Sequence, residues 1–228
     1  MIETPNLPAP AIRAVGLDLD GTLFDRAGAF RRLMAAWLGE AEAGAAMAEI
    51  ERRDGAGHAP RELFFGWLAD AFPSLGAGGD ALWQRFQREF PAAIEPDPFA
   101  AFVVGQWRKR GVPVGILTNG SAAFQRAKLA AAGLGQVVGD TPFLASGSLG
   151  CAKPDPRAFA ALSRALGVPA AEILFAGDDW QVDVCGALAA GMQACWVATA
   201  GGPDAGAAAA ARIDCLRVRH VSEIAALF

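Results

Sequence analysis

A chain of 228 residues that is 53% hydrophobic and 19% charged can bury a large core, as one large domain or one domain with an insert. Its net charge of −4 is spread among both signs, and no basic run is interleaved with aromatics, which argues against a nucleic-acid-binding surface. No apolar stretch reaches membrane-spanning length without interruption, and no basic segment precedes an apolar one at the N-terminus, so the expected setting is cytoplasmic, without membrane association.

Residues 1–11 carry several prolines and little pattern, and are expected to form a loose arm. Residues 12–18 read as a strand. From about 25 to 94 the periodicity becomes helical: Phe30, Leu33, Met34, Trp37 and Leu38 share one face, as do Leu63, Phe64, Trp67, Leu68 and Phe72, then Leu82, Trp83, Phe86 and Phe90. These stripes are expected to be core rather than a stacking platform for a base. Gly and Pro clusters at 54–60 and 73–79 punctuate the block. A proline-rich return at 91–98 precedes a helix over 99–109. Strands are expected at 112–117, 143–145, 173–176 and 194–197. The helices between them cover 122–132, 157–166 and 183–190, with Ser121 and Asp155 as N-caps and Gly167 and Gly191 just past helix ends. The alanine run at 207–211 reads as a frayed helix or surface loop. The four cysteines, Cys151, Cys185, Cys195 and Cys215, lack metal-site spacing; buried, reduced thiols are expected.

Alternating strands and helices imply an α/β fold: a Rossmann-like parallel sheet with helices on both faces. The helical block interrupts it after the first strand as an inserted all-helical unit. The expected division is a core of 1–24 and 96–228 and an insert of 25–95.

The first strand runs into Asp18-Leu19-Asp20-Gly21-Thr22. Side chains two apart on extended chain point the same way, so two carboxylates emerge together at the strand's C-terminal end. Like charges so close require a cation, a shared proton or a positively charged clamp. Other polar clusters fall at the same predicted sheet edge: Thr118-Asn119-Gly120-Ser121, Lys153-Pro154 and Gly177-Asp178-Asp179, with Asp183 on the next helix. Open α/β sheets bind ligands at that edge. Carboxylates that can hold Mg²⁺, a carboxylate nucleophile, and a lysine with backbone N–H groups to offset phosphoryl charge together suit phosphoryl transfer.

These clusters, in this order, resemble the four motifs of the haloacid dehalogenase-like (HAD) hydrolase superfamily over about 12–24 and 97–200, and the insert resembles its C1-type helical cap. The resemblance implies that Asp18 is the nucleophile and Asp20 the general acid–base. It implies a Mg²⁺ held by Asp18, the Asp20 main-chain carbonyl and Asp178, with Asp183 and Asp179 supporting its surroundings. Thr118, with the Asn119 and Gly120 backbone, would hold phosphate oxygens, and Lys153 would neutralise charge. Dehalogenases of the family lack the second aspartate, so Asp20 favours a phosphatase acting on a small phosphorylated metabolite. A phosphomutase or 2-haloacid dehalogenase on the same scaffold is the alternative, and a non-catalytic binding module that keeps the fold is another.

Phe24, Asp25 and Arg26 fall at the core–insert junction, where they could line an entrance. Arg52, Arg53, His58 and Arg61 cluster near a Gly-rich break, where a cation could meet the substrate's far end. Lysine and arginine are ordinarily solvated, so the arginines are expected to be helix-face charges and His58 a surface-loop residue. Trp180 could face the pocket or pack beneath the insert. Oligomeric state is not legible.

Overall fold

A computed structural model describes residues 11–198 and 215–227. The expected arm, except for residue 11, and the alanine run lie outside them.

Six parallel strands form one sheet in the order β3-β2-β1-β4-β5-β6. They are β1 (Ala14–Leu17), β2 (Val114–Thr118), β3 (Phe143–Ala145), β4 (Ile173–Gly177), β5 (Gln193–Val197) and β6 (Leu216–Val218). Every residue of β1, β2 and β4 is buried, as befits parallel strands covered on both faces. That is why these segments read as unbroken apolar runs. β1 is shorter than the expected 12–18, and β2 begins after Pro113, which has no N–H for a ladder. β6 was not anticipated: its three residues carry no period, and only Val218 is buried. Register against β5 (Cys195 opposite Leu216) creates it. Chain order reverses at β1, between β2 and β4, so the ends of these three strands form the crevice at the sheet's switch point.

Between β1 and β2 the chain is helical. The insert holds α1 (Arg26–Leu38), α2 (Glu40–Asp54), α3 (Arg61–Ala71) and α4 (Gly79–Glu89), and no strand among the described residues. Its aromatic stripes are core, as expected. Phe30, Phe64, Phe65 and Phe90 are at most 2% exposed. Phe86 and Phe90 stack with centroids 4.8 Å apart, and Phe124 meets both at 6.1 Å. Phe124 belongs to the α/β part, so one apolar cluster runs from sheet to insert.

The remaining helices are α5 (Pro98–Lys109), α6 (Ala122–Ala131), α7 (Gly135–Val138), α8 (Ser146–Leu149), α9 (Pro156–Leu166) and α10 (Gly186–Ala189). Ser121 and Asp155 cap α6 and α9 by accepting from Phe124 and Arg157 N–H groups. The expected helix at 183–190 starts earlier, as a π-helical turn, Trp180–Cys185. Such turns distort the regular ladder at functional sites, and this one carries Asp183. Trp180 opens that turn and is buried. It is 3% exposed and packs on Trp196 at 5.3 Å in a second apolar cluster on the other face of the sheet.

Cys195 is buried, as expected, but Cys151, Cys185 and Cys215 are only partly so. No helix among the described residues is long and apolar enough to cross a membrane.

Candidate active site

β1 delivers Asp18 and Asp20 at the crevice, and the chain then turns at Gly21, whose φ is +81°. A Cβ on Gly21 would lie 2.1 Å from Asp178 Oδ2. Glycine is therefore required for both its left-handed backbone and the close approach of the two strand-end loops. The end of β4 repeats the device: a Cβ on Gly177 would lie 2.3 Å from Asp183 Oδ2. The Gly21→Ala variant is expected to displace Asp178 and to cost about 1–3 kcal/mol of backbone strain. Its turnover should fall by about a hundredfold or more, because misplacement near 1 Å has effects of that size. Thermal melts and phosphate-release assays on the same preparation check both.

Asp18, Asp178 and Asp183 each offer a carboxylate oxygen, and the three atoms lie within 4.8 Å of one another. Lys153 Nζ donates to Asp18 Oδ1 and to Asp183 Oδ1, each at 2.6 Å. Asp183 Oδ2 accepts from the Asp179 N–H at 3.1 Å, so both Asp183 oxygens are engaged. No donor among the described residues reaches the Asp178 carboxylate. Three carboxylates thus face one ammonium. Burial, opposed by Lys153 and reinforced by repulsion from Asp183 and Asp20, pushes Asp18 up to about 7. Burial and the charges of Asp18 and Asp183 likewise hold Asp178 well above the carboxylate range. Lys153 is held above its usual range: burial opposes its charge, but Asp18 and Asp183 outweigh that cost. A hard divalent cation relieves such an imbalance, and oxygen donors are its preferred ligands.

Asp20 has a separate environment. Lys128 Nζ donates to Asp20 Oδ1 at 2.8 Å and Oδ2 at 2.9 Å, and Gln125 Nε2 donates to Oδ2 at 2.8 Å. Burial opposes its charge, but Lys128, Arg26 and Gln125 more than compensate and hold the carboxyl below its usual range. The sequence reading passed over Gln125 and Lys128, which it left within an ordinary helix. They are three apart on α6 and so share a face, and α6 starts just beyond the end of β2; that spacing was the available signal.

Gln125 Nε2 also reaches Thr118 Oγ1 at 2.5 Å and the Asn119 carbonyl at 2.9 Å. Thr118 is 1% exposed. The Asn119 side chain exchanges two hydrogen bonds of 2.9 Å with the Lys153 backbone, which fixes the lysine's loop. The Gly120 N–H is given to Ser146 Oγ at 2.9 Å. Ser146 had no place in the sequence reading.

The insert's charged residues divide. Arg52 and Arg53 pair with Glu49 on the exposed face of α2, as expected. Arg61 does not fit that expectation. It shares Asp54, 1% exposed, with Arg26, at 3.4 Å and 2.8 Å; no other cation among the described residues pairs with that carboxylate. His58 is half exposed but bonds Asp179 Oδ2 through Nε2 at 2.8 Å, so it ties the insert to the sheet edge. That contact raises the His58 pKa against the opposing effect of burial. Asp179 Oδ1 meanwhile accepts from Val182 N–H at 2.7 Å, capping the π-helical turn. Asp25 caps α1 through Gly28 N–H, and Phe24 is buried.

Comparison with known proteins fits this geometry. The family model of haloacid dehalogenase-like hydrolases matches residues 12–191. A phosphoserine phosphatase of Thermus thermophilus is 36% identical over 164 residues, 72% of this chain and 57% of the relative. A glyceraldehyde 3-phosphate phosphatase of Methanopyrus kandleri is 31% identical over 196 residues, 79% and 82% of the two chains. The match spans little more than half the length of the first relative. The magnesium-bound crystal structure of the HAD-hydrolase YfnB from Bacillus subtilis has the same fold, with a TM-score of 0.69 over 94% of this chain and 97% of that one at 21% identity. A family match across most of the chain, on a parallel sheet whose central strand ends in the paired aspartates, makes this protein a member of the haloacid dehalogenase-like hydrolases.

Proposed function

We propose that the protein is a Mg²⁺-dependent phosphatase that hydrolyses a small phosphate monoester through an aspartyl-phosphate on Asp18. The observation that carries this is the cluster of Asp18, Asp178 and Asp183, three carboxylates facing one lysine, in which no donor among the described residues reaches the Asp178 carboxylate. The phosphatase names of two relatives support it at the level of reaction class.

In this mechanism an Asp18 oxygen attacks phosphorus, forming the O–P bond as the ester P–O bond breaks. Asp20 gives its proton to the departing alkoxide. It then takes a proton from water, which attacks the aspartyl-phosphate, releases inorganic phosphate and regenerates Asp18. Against the effect of burial, Lys128 and Gln125 hold the free Asp20 carboxyl below its usual range, so the proton it delivers is one taken up from the bound monoester, whose own second ionisation lies at about 6. Lys153 offsets charge between Asp18 and the phosphoryl oxygens. The Thr118 hydroxyl and the Asn119–Gly120 backbone receive those oxygens, with the Gly120 N–H exchanging its Ser146 partner. Mg²⁺ would be held by Asp18, Asp178 and the Asp20 carbonyl, with Asp183 and Asp179 behind them, and would withdraw charge from the phosphoryl group. The insert 25–95 acts as a cap over a core made of 1–24 and 96–228.

Mg²⁺-dependent release of inorganic phosphate from an aryl phosphate, abolished by EDTA, tests the activity. A melting experiment tests the metal separately. Asp18, near 3.8 when unfolded and about 7 when folded, holds its proton more firmly in the native state, so metal-free stability falls as pH rises through that window. Bound Mg²⁺ removes the repulsion. At one fixed concentration, a hundredfold above its Kd at pH 8, it should raise Tm by about 5–10 °C at pH 8 and by much less at pH 5, where the protonated carboxyls weaken its binding. An equal shift at both pH values would count against these ligands.

A further inference from the structure

The insert carries a second charged group above Asp20 whose sign is opposite to that of the Asp18 group. Arg26 opens α1 and Arg61 opens α3; Arg26 donates to Oδ2 and Arg61 to Oδ1 of Asp54 at the end of α2. Arg61 also donates to the Gly57 carbonyl and lies over the Trp83 ring, 5.4 Å from its centroid. Trp83 meets Phe124 edge to face at 5.9 Å. Lys128 Nζ lies 4.5 Å from the Phe124 centroid and bonds Asp20. A continuous run of contacts therefore leads from Asp20 through Lys128 and the aromatic wall to Arg61, across Asp54, and back to Arg26, six residues beyond Asp20. Within it three cations face two carboxylates.

The arginines are not exhausted by Asp54. A guanidinium has five N–H donors, and Arg26 gives one hydrogen bond among the described residues, although its side chain is only 12% exposed. Gly57 lies flat against it: a Cβ there would stand 2.8 Å from Arg26 Nη2. The two arginines sense the site as well. Arg26 lowers the pKa of Asp20, and both add to the effect of burial in lowering that of Lys128. A purely structural pairing of helix ends would need one arginine per carboxylate, not two beside a third cation.

We propose that Arg26 and Arg61 form a subsite for a second anionic group on the substrate, a carboxylate or a further phosphate borne by the leaving alcohol. The proposal rests on the phosphatase assignment. Lys153 and the acidic floor serve the transferred phosphoryl group, and the arginine roof serves the far end. The expected substrates are phosphorylated acids or bisphosphates rather than phosphates of neutral alcohols.

The full chain, saturated with Mg²⁺, should be assayed for phosphate release from 3-phosphoglycerate, propane-1,3-diol bisphosphate, glycerol 3-phosphate and 4-nitrophenyl phosphate. The first two carry a carboxylate and a second phosphate; the third carries neither on a similar frame. The expected result is a kcat/KM at least about tenfold higher for one of the first two than for glycerol 3-phosphate, residing mainly in KM; which of the two leads identifies the anion. Arg61→Met should erase most of that ratio and Arg61→Lys should retain part of it. A wild-type ratio near one, with 4-nitrophenyl phosphate still hydrolysed, overturns the subsite and leaves the phosphatase assignment standing. A ratio that persists in Arg61→Met and Arg26→Met also overturns it. Phosphate release from none of the four esters removes the phosphatase assignment, and the subsite with it. The wild-type ratio needs no variant, so a misfolded variant does not spare the proposal.

Discussion

Asp18→Asn is expected to lower phosphate release by at least about 10⁴-fold while leaving the protein as stable as the parent, or more so. The first half follows if Asp18 is the atom that bonds to phosphorus, since a neutral amide is no substitute for a carboxylate nucleophile. The second half follows from burial. Asp18 is 6% exposed, beside Asp178 and Asp183, and its pKa near 7 means that the fold disfavours its charge. Asparagine has the same shape, can turn its oxygen to Lys153, and removes one of three mutually repelling charges. Without metal at pH 8 the variant should therefore melt at or above the parental Tm. Loss of activity with a lower Tm would indicate simple damage to the fold. Retained activity would remove Asp18 from the mechanism.

Lys153→Met is expected to do the reverse to stability. Lys153 is 4% exposed and is the ammonium that donates to both Asp18 and Asp183 at 2.6 Å. Removing one partner from a buried ionic group costs about 3–5 kcal/mol, because the remaining charges are left uncompensated. For a chain of this size that is a fall in Tm of about 6–20 °C. The pH dependence has a definite sign. The lysine's folded pKa lies above its unfolded value of 10.5, so its contribution is fully present at neutral pH and below. The variant's deficit should nevertheless shrink as pH falls toward about 7, since Lys153 opposes burial to lower the Asp18 pKa and without it the carboxyl takes its proton at higher pH. Mg²⁺ should recover part of the Tm. Turnover should drop by about 10²–10³-fold even with metal, the usual size of losing one preorganised charge. Differential scanning measurements from pH 5 to 8, with and without Mg²⁺, separate these effects.

The Arg61 series acts through residues outside this cluster, whereas Gly21→Ala acts through Asp178 and so is coupled to both variants.

Much of the molecule is legible without coordinates. The apolar runs that became β1, β2 and β4 are legible because both faces of a parallel strand are buried. The helical insert is legible from its period, and the caps at Ser121 and Asp155 from residue type. The motif aspartates were legible because strand-end position depends only on local pattern. That Asp18, Asp20, Asp178 and Asp183 share one crevice followed from parallel topology alone.

Charge pairing was not legible, because partner choice is made across the fold. Lys128 binds Asp20 from 108 residues away, and on sequence it is one more helix lysine. Arg61 read as solvated because nothing local shows that Asp54 is buried. The same holds for Gly21, whose need for glycine comes from Asp178 Oδ2, 157 positions along the chain. It holds for the three-residue β6, which exists by virtue of its neighbour. Composition and period thus determined which elements form and which edge carries the chemistry. Packing alone decided how the charges were shared out: an acidic floor two positive charges short beside a group with one to spare, since burial forces each charge to find whatever counter-charge the tertiary fold brings within reach.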